Sequence, residues 1–229
     1  MPESTPITLN HFAFFQFNQS YFAQPSEKRR QCLAALLSGL RQIARQLDLY
    51  QVYPGETGGD ILAWSAVPAT QPDSVGDFFT DFARATNPLR DVIEPVRTLW
   101  GFTRPSQYAK TRSAQEIDPF SAERKKYLIL YPFVKTQEWY LLSRETRQGM
   151  MNEHIRIGKA YPDIKQLLLY SFGVQDQEFV VVYETDDLIR FSDLVYALRE
   201  TEVRRYTERD TPLSTAIYHP AEATLSLWE

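Results

Sequence analysis

Apolar positions along this chain switch between a two-residue and a 3.6-residue period. Residues 8–17 form an aromatic, β-rich run with Phe12 and Phe14, which predicts a strand. Ser26 reads as an N-cap, followed by Glu27 and a helical stripe of Leu33, Leu36, Leu37, Leu40, Ile43, Ala44 and Leu47. Strands are predicted at 49–53 and 60–66, joined by the turn-rich Pro54-Gly55-Glu56-Thr57-Gly58-Gly59. A helix over about 73–85, stopped by Asn87-Pro88, and a strand near 96–103 complete a β-α-β-β-α-β order.

The second half repeats that order, with a strand at 126–133, a helix at 143–160, strands at 164–171 and 178–184, a helix from 187 to about 206, and a strand at 213–218. Two such units in tandem predict an α+β protein of duplicated ferredoxin-like (βαββαβ) units, of the dimeric α+β barrel type. Each unit would form a four-stranded antiparallel sheet with helices on one face, the halves dividing at 1–110 and 111–229. Packing of one sheet on the other would hide the remaining faces, and free sheet edges would invite a homo-oligomer. The polar segment 104–126, with Pro105 and Pro119, reads either as a solvated linker or as a functional loop across the mouth of the second half.

Composition narrows the partners. A single cysteine, Cys32, excludes an intrachain disulfide framework and a Cys-cluster metal site, and His11, His154 and His219 show no zinc-ligand spacing. A net charge of -4 argues against nucleic acid as a partner, while small anionic ligands remain open. Met1-Pro2-Glu3-Ser4-Thr5-Pro6 lacks a basic, apolar leader, and no run of about eighteen apolar residues occurs, so a cytoplasmic protein without membrane association is expected.

Candidate chemistry gathers in the second half. His154 shares a helix face with Met150, Met151, Ile157 and Gly158. A neutral imidazole there suits an axial ligand to a flat cofactor such as haem, with Gly158 letting a macrocycle lie close; the alternative is a core histidine with a satisfied hydrogen bond. Tyr131 and Lys135 end the first strand of this half and can exchange protons or, for the phenol, a hydrogen atom, unless they are a core plug and a surface lysine. Gln166 would face either a bound iron or solvent. Arg199, Arg204 and Arg205 could bind carboxylates or line a solvated helix face, and Glu200 or Glu202 could accept the second imidazole proton of His154.

The run Tyr131-Pro132-Phe133-Val134-Lys135, then Glu138-Trp139-Tyr140-Leu141-Leu142, Arg147-Gln148-Gly149-Met150-Met151-Asn152-Glu153-His154 and Ser171-Phe172-Gly173 resembles the chlorite dismutase-like superfamily. So does the stretch from Leu194 to Tyr206, and within the superfamily the chain is most similar to the coproheme decarboxylases. The resemblance implies a proximal iron ligand at His154, a radical-carrying tyrosine at Tyr131, a basic group near the reacting propionate at Lys135, a propionate contact at Arg199, and haem surroundings at Trp139. It implies haem b or iron-coproporphyrin III as the bound pigment, hydrogen peroxide as co-substrate, oxidative loss of carbon dioxide from two propionates, and a homo-oligomer, a homopentamer as in many relatives. Chlorite-degrading members carry an Arg where this chain has Gln166, so oxychlorine or general haem peroxidase activity is the first rival. A non-enzymatic haem-binding protein is the second. Arg204 falls near a position that is Ser in some decarboxylases.

Overall fold

A computed structural model describes residues 7–108 and 113–229, so the leader reading of residues 1–6 lies outside the described residues. In chain order the elements are β1 (Thr8–Phe17), α1 (Gln19–Phe22), α2 (Ser26–Ile43), β2 (Gln46–Gln51), β3 (Ile61–Pro68), α3 (Ser74–Thr86) and β4 (Ile93–Thr103). The second half follows with β5 (Tyr127–Lys135), α4 (Gln137–Leu141), α5 (Arg144–Lys159), β6 (Lys165–Tyr170), β7 (Phe179–Thr185), α6 (Leu188–Arg199), β8 (Thr207–Arg209), β9 (Ser214–Tyr218) and α7 (Ala221–Ser226). The duplicated β-α-β-β-α-β order is therefore present, with α1, α4, β8 and α7 added to it.

Local departures from expectation have local causes. Ser26 is the first helical residue rather than the cap, because Pro25 takes the cap position and no side chain bonds there. α2 stops at Ile43 because Ala44 is extended, so Leu47 belongs to β2 and not to the helical stripe. The helix expected to reach residue 206 ends at Arg199: Thr201 is extended, its hydroxyl donates to the Leu198 carbonyl at 2.7 Å, and a 3-10 turn over Glu202–Tyr206 follows. The cap of α6 is Asp187, whose carboxylate accepts from the Ile189 and Arg190 amides at 2.9 and 3.1 Å.

Strand order is β7-β6-β4-β1-β3-β2-β9-β5-β8, and β5 also pairs with β7, so the ladder closes on itself as a barrel with β8 as a short flap on β5. The halves meet at two seams, β4 on β6 and β2 on β9. Their outer edges are paired within the chain, which removes the free edges on which the expected homo-oligomer was argued. Side chains alternate along β1: Phe12 and Phe14 point into the barrel with Tyr50, Leu62, Trp64, Leu130, Leu169 and Val182, while Ala13, Phe15 and Phe17 pack outward against α2 and α3. Full burial of each large side chain contributes about 1.5–3 kcal/mol.

Contacts between the halves include a close backbone approach and a buried ion pair. A Cβ on Gly101 would meet Ser171 Oγ at 2.7 Å and the Tyr170 carbonyl at 2.9 Å, so only glycine lets β4 approach β6 here. Gly101→Ala is expected to cost about 2 kcal/mol by forcing this seam apart, seen as a fall of about 5 °C in the thermal midpoint; an unchanged midpoint would show that the seam yields freely. Arg124, from the connecting segment, is buried with Nε 2.9 Å from Asp48 on β2 and 3.6 Å from Glu184 on β7, its guanidinium over Trp64 at 4.4 Å. Burial pushes the Glu184 carboxyl up to about 7, against the attraction of Arg124. His11 is a core residue among Phe78, Phe79 and Phe82, and burial lowers its imidazole to about 3.

Candidate functional site

The halves differ in how their helices meet the sheet. In the first half, α2 buries Leu33, Leu36, Leu37 and Leu40, and Gly39 brings it so close to α3 that an added Cβ would lie 3.0 Å from Ala85 Cβ. Its counterpart α5 has no fully buried residue and rests mainly on α6 and the following 3-10 turn. Leu49 on β2 is fully buried, whereas Leu168 on the equivalent strand β6 is 37% exposed. The outward face of β6, β7 and β5 is thus only partly covered by α5, whose Ile157 packs on the cluster of Ile129, Ile164 and Tyr183, leaving a shallow hollow along Leu168.

Register defines the floor of that hollow. Three cross-strand rows face outward: Gln166, Tyr183 and Ile129; Leu168, Val181 and Tyr131; Tyr170, Phe179 and Phe133. The floor is apolar and aromatic, with Phe133 stacked on Phe179 at 4.6 Å between ring centroids. Gln166 lies at its far edge, solvent-exposed, in a strand whose backbone is bonded to Gln115 and Ile117.

His154 is carried over this floor by α5, whose N-cap Ser143 accepts from the Thr146 amide at 3.1 Å. Its Nδ1 is shut off from solvent with no hydrogen-bond partner among the described residues, which is not the satisfied core histidine weighed above. Burial, together with the Lys135 charge, lowers the imidazole to about 4, against the pull of Glu153. Glu200 and Glu202 do not take its second proton. The chain leaves the helix at residue 199, the Glu202 carboxylate turns to Arg205 at 3.5 Å, and the Glu202 amide donates weakly to Glu153. Met150 and Gly158 flank His154 on the same face, one turn to either side; Met150 is half-buried, and a Cβ on Gly158 would touch nothing.

Two clusters line the sides. In one, the Lys135 ammonium donates to the Val203 carbonyl and Thr207 Oγ1, each at 3.3 Å, and lies 4.7 Å from the Trp139 ring centroid. Burial, then the Arg204 charge, lowers this lysine to about 8. In the other, Arg199 Nη2 donates to the Tyr131 hydroxyl at 2.6 Å. Asp210 Oδ2 lies 3.0 Å from Arg199 and 3.2 Å from Arg204. Burial raises the Tyr131 phenol above its ordinary value, Arg199 pulls it down and Asp210 adds to the rise. Lys135 and Tyr131, both facing outward on β5, therefore have separate hydrogen-bond partners, while the Arg204 charge bears on both. Arg205 pairs only with Glu202 among the described residues, on the exposed side.

The connecting segment is tied to this half. Tyr108 packs edge-on near Trp139, its carbonyl accepts from Gln148 Nε2 at 3.2 Å, and with Ser106, Gln107, Arg144 and Arg147 it lines a cavity of about 410 Å³ at the start of α5. The Gln115 side-chain Nε2 shares its two hydrogens among the carbonyls of Gly158, Tyr161 and Ile164, capping the end of α5. The described parts of 104–126 are thus packed on the second half rather than standing free of it.

The family model for chlorite dismutase matches residues 26–218. The chain belongs to the chlorite dismutase family. Coproheme decarboxylase of Mycolicibacterium smegmatis is 32% identical over 169 residues, 73% of this chain and 70% of that protein. Chlorite dismutase of Candidatus Nitrospira defluvii, solved with imidazole, superposes with a TM-score of 0.83 at 22% identity, covering 99% of this chain and 96% of that one. An arginine-to-lysine variant of the same protein gives 0.83 at 23% identity over the same shares. These structures establish the fold: an α+β chlorite dismutase family barrel of duplicated ferredoxin-like units.

For this chlorite dismutase family member, the residues present suit an iron porphyrin on structural grounds. The hollow has an apolar floor, a neutral imidazole with a buried, unpartnered nitrogen, clear space at Gly158, and cationic groups at the side. No described helix is long and apolar enough to cross a membrane. Sequence reasoning missed Asp210, which reads only as a turn residue before Thr211-Pro212, and Tyr108, which sits in a polar segment without periodicity.

Proposed function

We propose that the protein binds an iron porphyrin between α5 and its sheet and acts as a coproheme decarboxylase, converting two propionates of iron-coproporphyrin III to vinyl groups with hydrogen peroxide. The observation that carries this reading is the hollow second half: α5 buries none of its side chains yet presents a neutral imidazole with a solvent-shielded, unpartnered nitrogen. The 32% identity to a coproheme decarboxylase supports this reaction class.

His154 would hold the iron, with Met150, Gly158 and Trp139 against the macrocycle. Once bound, the iron porphyrin supplies the peroxide reduction that provides oxidising power. Each turnover consumes one propionic acid side chain and one hydrogen peroxide and yields one vinyl group, one carbon dioxide and two waters. Tyr131 is the hydrogen-atom carrier. Its raised phenol stays protonated at neutral pH, and the Arg199 contact at 2.6 Å fixes the hydroxyl. As a phenoxyl radical it would take a hydrogen atom from the propionate β-carbon. Arg199 also anchors the carboxylate until it leaves as carbon dioxide. Lys135, positively charged at neutral pH and held beside Trp139, neutralises a carboxylate or returns a proton on its own side of the hollow. Gln166, at the exposed far edge of the floor, brings no fixed cation that would retain an oxychlorine anion, which favours decarboxylation over chlorite chemistry.

The test is mass spectrometry of the porphyrin after loading with iron-coproporphyrin III and titrating peroxide. Stepwise loss of two carboxyl groups, ending at haem b with two equivalents of peroxide, is the expected result. Unchanged porphyrin with oxygen released from chlorite would support the chlorite dismutase reading, and bound but inert pigment a haem-binding protein.

A further inference from the structure

Two guanidiniums face one carboxylate beside Tyr131. Asp210 lies 3.0 Å from Arg199 and 3.2 Å from Arg204, and no other carboxylate is within ion-pair distance of either arginine among the described residues. The sum is one uncompensated positive charge. Exposure is uneven: the Asp210 side chain is 14% exposed, against 41% for Arg199 and 33% for Arg204. The carboxylate therefore sits behind the arginines, and their outer faces remain open to an anion. A carboxylate docking on Arg199 would lie against the Tyr131 hydroxyl, because Arg199 already reaches it at 2.6 Å.

We propose that Asp210 is a specificity-determining residue, a built-in competitor that holds one of two guanidinium charges and leaves a seat for a single carboxylate of the porphyrin beside Tyr131. The inference rests on the porphyrin site proposed above and assigns how that site counts carboxylates. A substrate carboxylate draws Arg199 from Asp210 against the repulsion of the aspartate. When that carboxylate is converted to a neutral vinyl group, Arg199 returns to Asp210 and the edge of the product loses its anchor. Asp210 thus lowers affinity for the carboxylate-rich porphyrin in exchange for release of the carboxylate-poor one.

Binding of metal-free porphyrins tests this without iron ligation or turnover. Coproporphyrin III, a tetracarboxylate, and protoporphyrin IX, a dicarboxylate, are titrated against wild type, Asp210→Asn and Asp210→Glu by quenching of tryptophan fluorescence. Removing the aspartate charge is expected to tighten coproporphyrin III roughly fivefold, the size of a partly exposed ion-pair effect. Protoporphyrin IX affinity should stay unchanged in the same variant, and Asp210→Glu should restore the wild-type preference. Unchanged or weaker coproporphyrin III binding by Asp210→Asn, or an equal change for both porphyrins, would overturn the role of Asp210. Failure of the wild type to bind either porphyrin would overturn the site itself, and this proposal with it.

Discussion

Tyr131→Phe is expected to bind iron-coproporphyrin III with near wild-type affinity and to lose decarboxylation by roughly a thousandfold. The ring occupies the middle row of the hollow's floor, beside Val181 and in the row of Leu168, so phenylalanine preserves the packing. Only the hydroxyl goes, and with it the transferable hydrogen and the acceptor for Arg199. The freed guanidinium still pairs with Asp210, so no buried charge is stranded. Peroxide-driven carbon dioxide release, followed with the porphyrin mass spectrum, is the measurement. A variant that still completes both steps would remove Tyr131 from the chemistry while leaving pigment binding intact.

His154→Ala is expected to weaken iron-porphyrin binding by at least about a hundredfold, close to 3 kcal/mol. The Soret band of any residual complex should shift, and added imidazole should restore it. Stability should change little, because the imidazole makes no hydrogen bond among the described residues and its removal leaves none unpaired. The pH dependence has a defined sign. Folding lowers the imidazole from 6.5 to about 4, so the folded protein presents the neutral ligand above about pH 5. Affinity should be level from about pH 7 to about 5 and fall as pH approaches 4. The same depression means that the unfolded chain binds the proton more readily between 6.5 and 4, so stability falls as pH drops through that window. A binding curve that declines near pH 6.5 would show an imidazole exposed like a free one.

Much of the fold was legible because each element has a local signature. The Leu33 to Leu40 stripe, the alternation in β1 and the turn residues at 54–59 specify their elements without tertiary help. The duplication followed from their order. Closure of the barrel was less accessible, since seams such as Gly101 against Ser171 join residues far apart in sequence with no period linking them. At the site, Tyr131, Trp139 and His154 carried a family resemblance that pattern alone could not supply. The partner of Arg199 was invisible: Asp210 follows a three-residue strand, and only the turn that stops α6 at residue 199 brings the two together. Glu200 and Glu202 looked better placed for His154 because an unbroken helix was assumed, and one extended residue, Thr201, redirected both.

The loose seating of α5 has a consequence for how a rigid, plate-shaped guest gets in. The barrel's interior is filled mainly by strand residues, and α5 contributes no fully buried side chain. Lifting this one helix would break the packing of Ile157 and the ties to Gln115 and Tyr108, yet leave the ring of strands behind it intact.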